Sequence, residues 1–250
     1  MIKSKKLSKF NNISHGFFNK SGGVSKGIYK SLNCGVGSKD LVKNINFNLD
    51  IVKKKIKCGK KSLVLLNQHH SKKIYFLNKI PKRKVNGDGM ITKKKNIALG
   101  ILTADCAPVF IYDKKLRIIS AIHSGWRGAY KKIVTNLVLK LKRIGSKSRN
   151  LIAVVGPCIS QTNYEVKKEF KNKFLKKSLK NAEFFKEKNN KIYFDLSGFI
   201  KQQLIGCGID QVEIIKKDTF DFKNNFFSSR YNSIKNYNDY GRNISIIMIK

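Results

Sequence analysis

Apolar residues along this chain follow two periods. Between 41 and 58, Val42, Ile45, Leu49, Val52 and Ile56 fall on one stripe, the spacing of a helix with a single buried face. Asp40 is placed to cap its start and Gly59 to end it. Elsewhere the apolar runs are short and rich in β-branched residues. LVLLNQHH (63–70), KIYFL (73–77), IALGIL (97–102), PVFIYD (108–113), RIISAIH (117–123), LIAVVG (151–156), VEIIK (212–216) and ISIIMI (244–249) read as strands. PVFIYD and RIISAIH make a pair around a turn at Lys114–Lys115. GWRG (125–128) opens a second helix, with Ile133, Val134, Leu137, Val138, Leu141 and Ile144 on one face and Gly145 at its end. Residues 165–182 and 196–207 read as helices, the latter capped by Asp195. Strands and helices mix without strict βαβ alternation. That predicts an α+β layered sandwich of mixed sheets flanked by helices, in place of a doubly wound parallel sheet.

Composition narrows the class. The chain has 250 residues, 41% of them hydrophobic, enough to bury a substantial core. It shows no internal repeat or long linker, so one domain spanning 1–250 is expected. No apolar run reaches 20 residues, so no membrane crossing is expected. The basic start MIKSKKLSKF is not followed by an apolar stretch, so it does not read as a signal peptide. The cysteines are Cys34, Cys58, Cys106, Cys158 and Cys207. Their odd number and wide spacing predict reduced thiols and a cytoplasmic protein.

The formal net charge is +38, which raises nucleic-acid binding as a function class. The basic residues are overwhelmingly Lys, whereas bidentate base and phosphate contacts favour Arg. The excess reads as drift spread over solvated faces. Nucleic acid is therefore the least expected partner, although the field steers anionic substrates. Neither the G-x-G-x-x-G nor the P-loop fingerprint occurs.

Candidate chemistry gathers where apolar strands end in small-residue loops. The histidines are His15, His69, His70 and His123. His70, Cys106 and His123 offer two nitrogens and a sulfur, a donor set suited to zinc with an open position for water. They stand 36 and 17 residues apart, which forms no compact spacing motif. A packed core thiol with two incidental histidines fits the spacing equally well. A third reading makes Cys106 a nucleophile with His123 as its base. At HSGWRG, Gly125, Arg127, Gly128 and a helix start would suit a phosphate, and an ordinary helix cap with Trp126 in the core would look the same.

Taken together, HGFFNKSGGVSKGIYKSLNCGVGSKD (15–40), NQHHS (67–71), GDGMIT (87–92), TADCAPV (103–109), HSGWRG (123–128), GPCIS (156–160), FDLSGF (194–199) and the arginine segment 226–242 resemble one family. It is variously called multicopper polyphenol oxidase, laccase-domain protein, peptidoglycan editing factor and purine nucleoside phosphorylase. The resemblance covers nearly the whole chain. It implies the layered α+β sandwich formerly grouped with cysteine hydrolases, and zinc ligands at His70, Cys106 and His123. It implies zinc-dependent phosphorolysis of adenosine, inosine and methylthioadenosine to free base and ribose 1-phosphate, with adenosine deamination. Cys106, His123 and Asp105 are the expected catalytic residues, with Asp88 the alternative acid or base. Arg127, Arg242, Asn33 and Gln68 are the expected nucleoside and phosphate contacts. Zinc is the expected cofactor and copper the alternative; a homodimer is left open.

Three local departures stand out, one of them a less regular arginine segment in which Arg230 is followed by Tyr231 and a longer linker before Gly241–Arg242. His69–His70–Ser71 occupies the place of an apolar residue followed by His-Gly, which makes His69 the local rival to His70. Gly87–Asp88–Gly89 replaces the usual Ala-Asp-Gly. The histidine count also bears on the family's older name. Four histidines, with Met1, Met90 and Met248 remote in sequence from the candidate ligands, supply one divalent ion and not a multicopper centre. A second function class, a hydrolase editing a peptidoglycan precursor through Cys106, stays open on the residues.

Overall fold

The computed structural model describes every residue except 60, 61 and 96. Its strands are β1 (Ile13–Phe17), β2 (Leu63–Val64), β3 (Ile74–Phe76), β4 (Gly89–Thr92), β5 (Ala98–Thr103), β6 (Ala107–Asp113), β7 (Ile118–Ser124), β8 (Leu151–Val155), β9 (Glu165–Val166), β10 (Phe185–Lys188), β11 (Lys191–Phe194), β12 (Gln211–Ile214) and β13 (Asn243–Ile249). Its helices are α1 (Val42–Ile56), α2 (Trp126–Tyr130), α3 (Ile133–Arg143), α4 (Lys168–Leu175), α5 (Leu196–Gly206) and α6 (Ser229–Ile234). The larger sheet runs β12-β8-β6-β7-β4-β3, the second β1-β13-β5-β2, and a small third sheet β10-β11-β9. Parallel pairs (β2 with β5, β3 with β4, β12 with β8) sit beside antiparallel ones. This is the mixed α+β sandwich that the pattern predicts.

The layers follow from which side chains each face buries. Ile45, Leu49, Val52 and Ile56 of α1 pack with Ile244, Ile246 and Met248 of β13. The opposite face of β13, Ile247 and Ile249, meets Phe110, Tyr112 and Ile119 of the larger sheet. Beyond that sheet, Val109, Ile111 and Ala153 pack against Leu137 and Leu141 of α3 and Leu204 of α5. Central strands are thus covered on both faces. Successive residues of β6 split between two cores, which is why PVFIYD reads as an unbroken apolar run. No described helix is long and apolar enough to cross a membrane.

Several predicted elements differ. Only Leu63–Val64 of 63–70 is strand; the rest is a loop fixed by side-chain hydrogen bonds described below. The helix after GWRG splits into α2 and α3 at Lys132, which is left-handed at φ 61°. The helix read over 165–182 shrinks to α4. There Phe170 and Phe174, one turn apart on α4, stack on each other and meet Phe185 and Phe194, so this short helix buries its apolar face in an aromatic cluster. Asp40 does not cap α1 with its side chain. Its carboxylate accepts from Ser25 Oγ and Asn33 Nδ2 instead. α1 ends at Ile56, with Lys57 left-handed, before Gly59 is reached. Asp195 does cap α5, accepting from the Gly198 N–H at 2.8 Å.

One buried histidine lies outside any site. His15 on β1 is 3% exposed, and its Nε2 accepts the Ser4 N–H at 2.9 Å. Burial, with Lys3 nearby, lowers its pKa from 6.5 to about 4. Above pH 6.5 both the folded and unfolded chains are neutral there, and the group is silent. As pH falls from 6.5 towards 4, only the unfolded chain takes up the proton, so the fold loses stability, by at most about 3 kcal/mol. The expected result is a denaturant midpoint that falls over that window in the wild type and falls less in His15→Gln. Identical pH profiles for the two proteins would remove this role.

Candidate metal centre

The β6–β7 hairpin joins two of the candidate ligands. Pro108 pairs with His123 and Ala107 with Ser124, so Cys106, just before β6, lies beside His123 at the end of β7. The 17-residue separation is the length of one hairpin. β4 pairs antiparallel with β7, Gly89 opposite Ile122, and the His123 N–H donates to the Asp88 carbonyl at 2.8 Å. Asp88 then reaches back to the loop carrying His70.

Asp88 is fully buried and organises the site. Its Oδ1 accepts from His70 N at 3.1 Å and lies 2.8 Å from His123 Nδ1. Its Oδ2 accepts from Ser71 N at 2.6 Å, Ser71 Oγ at 2.7 Å and His69 N at 3.3 Å. Burial alone would raise its pKa. Hydrogen bonds from His123 and Ser71 outweigh that and hold the carboxyl well below the usual carboxylate range. The same network holds His70 in a left-handed conformation, φ 59°. Gln68 ties this loop to β5: its Nε2 donates to the Leu102 carbonyl at 2.7 Å, and its Oε1 accepts the Leu102 N–H at 2.9 Å.

His70, Cys106 and His123 each direct a donor atom to one point, all within 4.8 Å of one another. It is the one such group of three or more metal-ligating side chains among the described residues. The two imidazole rings are 4.7 Å apart, tilted by 53°. His70 Nδ1 is buried with no hydrogen-bond partner, which is costly unless something else satisfies it. His123 commits Nδ1 to Asp88, leaving Nε2 for the centre, the arrangement typical of metal-bound imidazole. Burial and its neighbour His123 lower the His70 pKa to about 4, so its nitrogen carries a free lone pair at neutral pH. Burial would lower His123 too, but the Cys106 sulfur and Asp88 outweigh it and raise it to about 9. Gly125 closes the site: a Cβ there would stand 2.5 Å from Cys106 Sγ and 2.9 Å from His70 Nδ1. An unpartnered nitrogen, a thiol and a cradle that excludes even a methyl group fit a bound ion. His69, the local rival, points elsewhere; its side chain is 53% exposed.

The other expected residues are placed as follows. Asp105, left-handed at φ 78°, turns its carboxylate away from the ligands. It accepts from Thr219 Oγ1 at 2.8 Å, Ser228 Oγ at 2.9 Å and Arg230 N at 2.7 Å. Burial raises its pKa, with these hydrogen bonds opposing. Two cavities flank the cluster. One of about 310 Å³ is lined by Gln68, Lys84, Tyr240 and Arg242 beside the three ligands. The other, about 440 Å³, is lined by Tyr164, Leu196, Arg230 and Ile234 beside His70 and Cys106. Arg242 lies over the Tyr240 ring at 4.6 Å. Asn33 lines neither cavity; its Oδ1 accepts the Arg242 N–H at 2.9 Å, so it holds the arginine's backbone. Arg127 is exposed, 5.1 Å above the Trp126 ring, and lines neither cavity. Lys84, Arg230, Tyr164 and Tyr240 are cavity residues that the sequence pattern does not single out. Only Arg230 carries a signal, through its place in the arginine segment.

A mixed-sheet sandwich with a His-Cys-His cluster at its strand ends defines a class of α+β protein with a site that could hold a metal ion. The chain belongs to the multi-copper polyphenol oxidoreductase laccase family, whose model matches residues 14–250. It is 32% identical to a purine nucleoside phosphorylase of Bacteroides thetaiotaomicron, over 100% of this chain and 96% of that protein. It is 38% identical to a purine nucleoside phosphorylase of Rickettsia conorii, over 63% of this chain and 66% of that protein. Among solved structures, the hypothetical protein YfiH of Bacillus licheniformis superposes with a TM-score of 0.88 at 27% identity, covering 96% of this chain and 94% of that one.

Proposed function

We propose that this centre performs zinc-dependent phosphorolysis of purine nucleosides (adenosine, inosine and methylthioadenosine) to free base and ribose 1-phosphate, with adenosine deamination as a side activity. The observation that carries the reading is the buried, unpartnered His70 Nδ1 facing Cys106 and His123, between two adjoining cavities that share Tyr240. The names of the relatives, purine nucleoside phosphorylases, support the phosphorylase part of this reading. When bound, the ion supplies Lewis acidity to a phosphate or water oxygen.

The chain's own side chains supply the rest. Arg242 and Lys84 make the smaller cavity an anion pocket for phosphate. Burial already pulls the Lys84 ammonium below its ordinary pKa, so an anion beside it is favoured. Tyr164, Leu196 and Ile234 give the other cavity an apolar wall for the nucleoside. A phosphate oxygen then bonds C1′ as the C1′–N9 bond breaks; N9 keeps the electron pair, and the proton that hydrogen phosphate gives up is the one the departing purine gains, so the step balances without a side-chain acid. Asp88 keeps the His123 proton on Nδ1. Asp105, with both oxygens occupied, positions Cys106 and is not the proton donor. The zinc-deaminase signature H-x-E with P-C-x-x-C is absent from the sequence, so deamination uses this different scaffold.

One ion suffices for this chemistry. Met90 and Met248 are buried in the core layers, so no thioether is offered as an axial copper ligand, and zinc is the favoured ion. Five free thiols suit the cytoplasm.

The test is to incubate metal-loaded protein with adenosine, with and without phosphate. Adenine and ribose 1-phosphate are expected only with phosphate, and inosine in both. No product under either condition overturns the proposal. One observation favours a second reading: Asp88, His123 and Cys106 form a chain of the kind that activates a thiol. A cysteine hydrolase built on it would need no phosphate, and its metal-free form would stay active until alkylated.

A further inference from the structure

The cavity beside His70 and Cys106 does not end at Tyr164 and Arg230. The same two side chains line a wider groove of about 980 Å³. Trp126, Phe170 and Ile192 contribute its apolar surface. Lys167, Lys168, Lys173, Lys191 and Arg230 supply its charge, against the carboxylates of Glu165 and Glu169. Glu165 and Lys191 pair at 3.0 Å and offset each other, which leaves Lys167, Lys168, Lys173 and Arg230 against Glu169. The cations lie over aromatic rings. Arg127 and Lys173 sit 5.1 and 5.5 Å from the Trp126 ring, and Arg230 sits 5.6 Å from the Tyr164 ring. Such contacts are weak at exposed sites. They hold cations beside the groove and yield readily to a phosphate, which makes shorter, charge-assisted hydrogen bonds.

We infer that this groove receives the phosphates of a purine nucleoside 5′-phosphate whose nucleoside end lies at the metal centre. The substrate class of the site then extends from nucleosides to mononucleotides. The nucleoside end of this assignment rests on the phosphorylase reading; the groove does not. A bare nucleoside filling the inner cavity leaves the groove's cations facing water. A diphosphate extension places anionic oxygens among them and leaves the apolar strip beside the base and ribose. The groove's lining carries more cations than carboxylates, and it shares Tyr164 and Arg230 with the cavity at the site.

The chain has a single tryptophan, and Trp126 lines the groove, so its emission reports occupancy. Metal-loaded protein is titrated with adenosine, ADP, inorganic pyrophosphate and a six-nucleotide oligoadenylate. ADP is expected to change Trp126 emission and to bind roughly tenfold more tightly than adenosine or pyrophosphate, with an advantage that shrinks in high salt. Replacing Lys173→Ala and Lys191→Ala together is expected to bring the ADP-to-adenosine affinity ratio towards one, with an unchanged circular dichroism spectrum. Equal affinity for ADP and adenosine overturns the assignment, as does a ratio unmoved by the substitutions. Pyrophosphate binding as tightly as ADP means generic anion capture and also overturns it. Oligoadenylate binding far more tightly than ADP makes the occupant single-stranded nucleic acid and overturns it as well. Loss of ADP binding with adenosine turnover intact removes the groove assignment alone. ADP binding without any turnover of adenosine removes the phosphorylase reading alone.

Discussion

Cys106→Ala is expected to purify with its fold intact, almost no zinc, and a kcat/KM for adenosine reduced by at least about 10³-fold. The magnitude follows from what is removed. An ion acting as Lewis acid contributes several kcal/mol to a transition state, and about 4 kcal/mol corresponds to that factor. Losing the sulfur leaves two imidazoles, fewer than the three protein ligands of catalytic zinc sites. Stability should change little, because Cys106 is only partly buried and its truncation empties a site that is open on two sides. Gly125→Ala is the sharper companion. It leaves every ligand in place, and Gly125 sits at φ −73°, ψ 174°, a conformation alanine adopts without strain. Its Cβ would nevertheless lie 2.5 Å from Cys106 Sγ. Zinc content, measured by elemental analysis, should fall in both variants, and activity with it. Zinc-free Cys106→Ala that retains full turnover would end the metal assignment. Zinc-free wild type with full turnover, lost only in Cys106→Ala, would move the residue from ligand to nucleophile.

The legible and the illegible parts of this site divide on physical lines. PVFIYD and RIISAIH, separated by a short polar turn, specify a hairpin, and a hairpin alone brings Cys106 to His123. Local sequence therefore contains that half of the centre. His70 arrives differently. It depends on the pairing of β4 with β7 and on one carboxylate, Asp88, bridging two loops. Neither is a periodic signal. β4 is four residues long and buried throughout, so it shows no alternation to read. The aromatic residues of 164–174 fail in the opposite sense. Phe170 and Phe174 do share one face of α4, but that helix ends at Leu175, and their rings pack against β10 and β11 where the sequence pattern predicts a longer helix. Charge shows the same limit: the pattern of lysines reads as uniform drift, and only the fold reveals that some of them border one groove. Glycine 125 reads as a helix cap in sequence, and it is one, but its second task, leaving room between Cys106 and His70, appears only in three dimensions.

Asp88 is where stability and metal binding meet, and its two substitutions should separate them. Asp88→Ala removes a buried acceptor that serves His69, His70, Ser71 and His123 together. Several buried donors are then left without partners, and breaking a buried network in this way costs about 3–5 kcal/mol. For a domain of this size each kcal/mol corresponds to roughly 2–4 °C, so a drop in Tm of about 6–20 °C is expected. Asp88→Asn keeps the shape. Its carbonyl oxygen, in the Oδ2 place, can still accept from His69 and Ser71, but its amide NH₂ then stands at Oδ1, where the His70 N–H loses its acceptor and His123 Nδ1 faces a group that can only donate. His123 must move its proton from Nδ1 to Nε2, the nitrogen it would offer to zinc. The expected outcome is a modest loss of stability with zinc affinity weakened about 10–100-fold, read by competition with a chelating dye on the folded protein. If Asp88→Asn binds zinc as tightly as the wild type, His123 does not depend on this carboxylate for its tautomer. If Asp88→Ala melts with the wild type, the hydrogen bonds converging on Asp88 are replaceable by water, and the loop carrying His70 is held by Gln68 and the β5 edge instead.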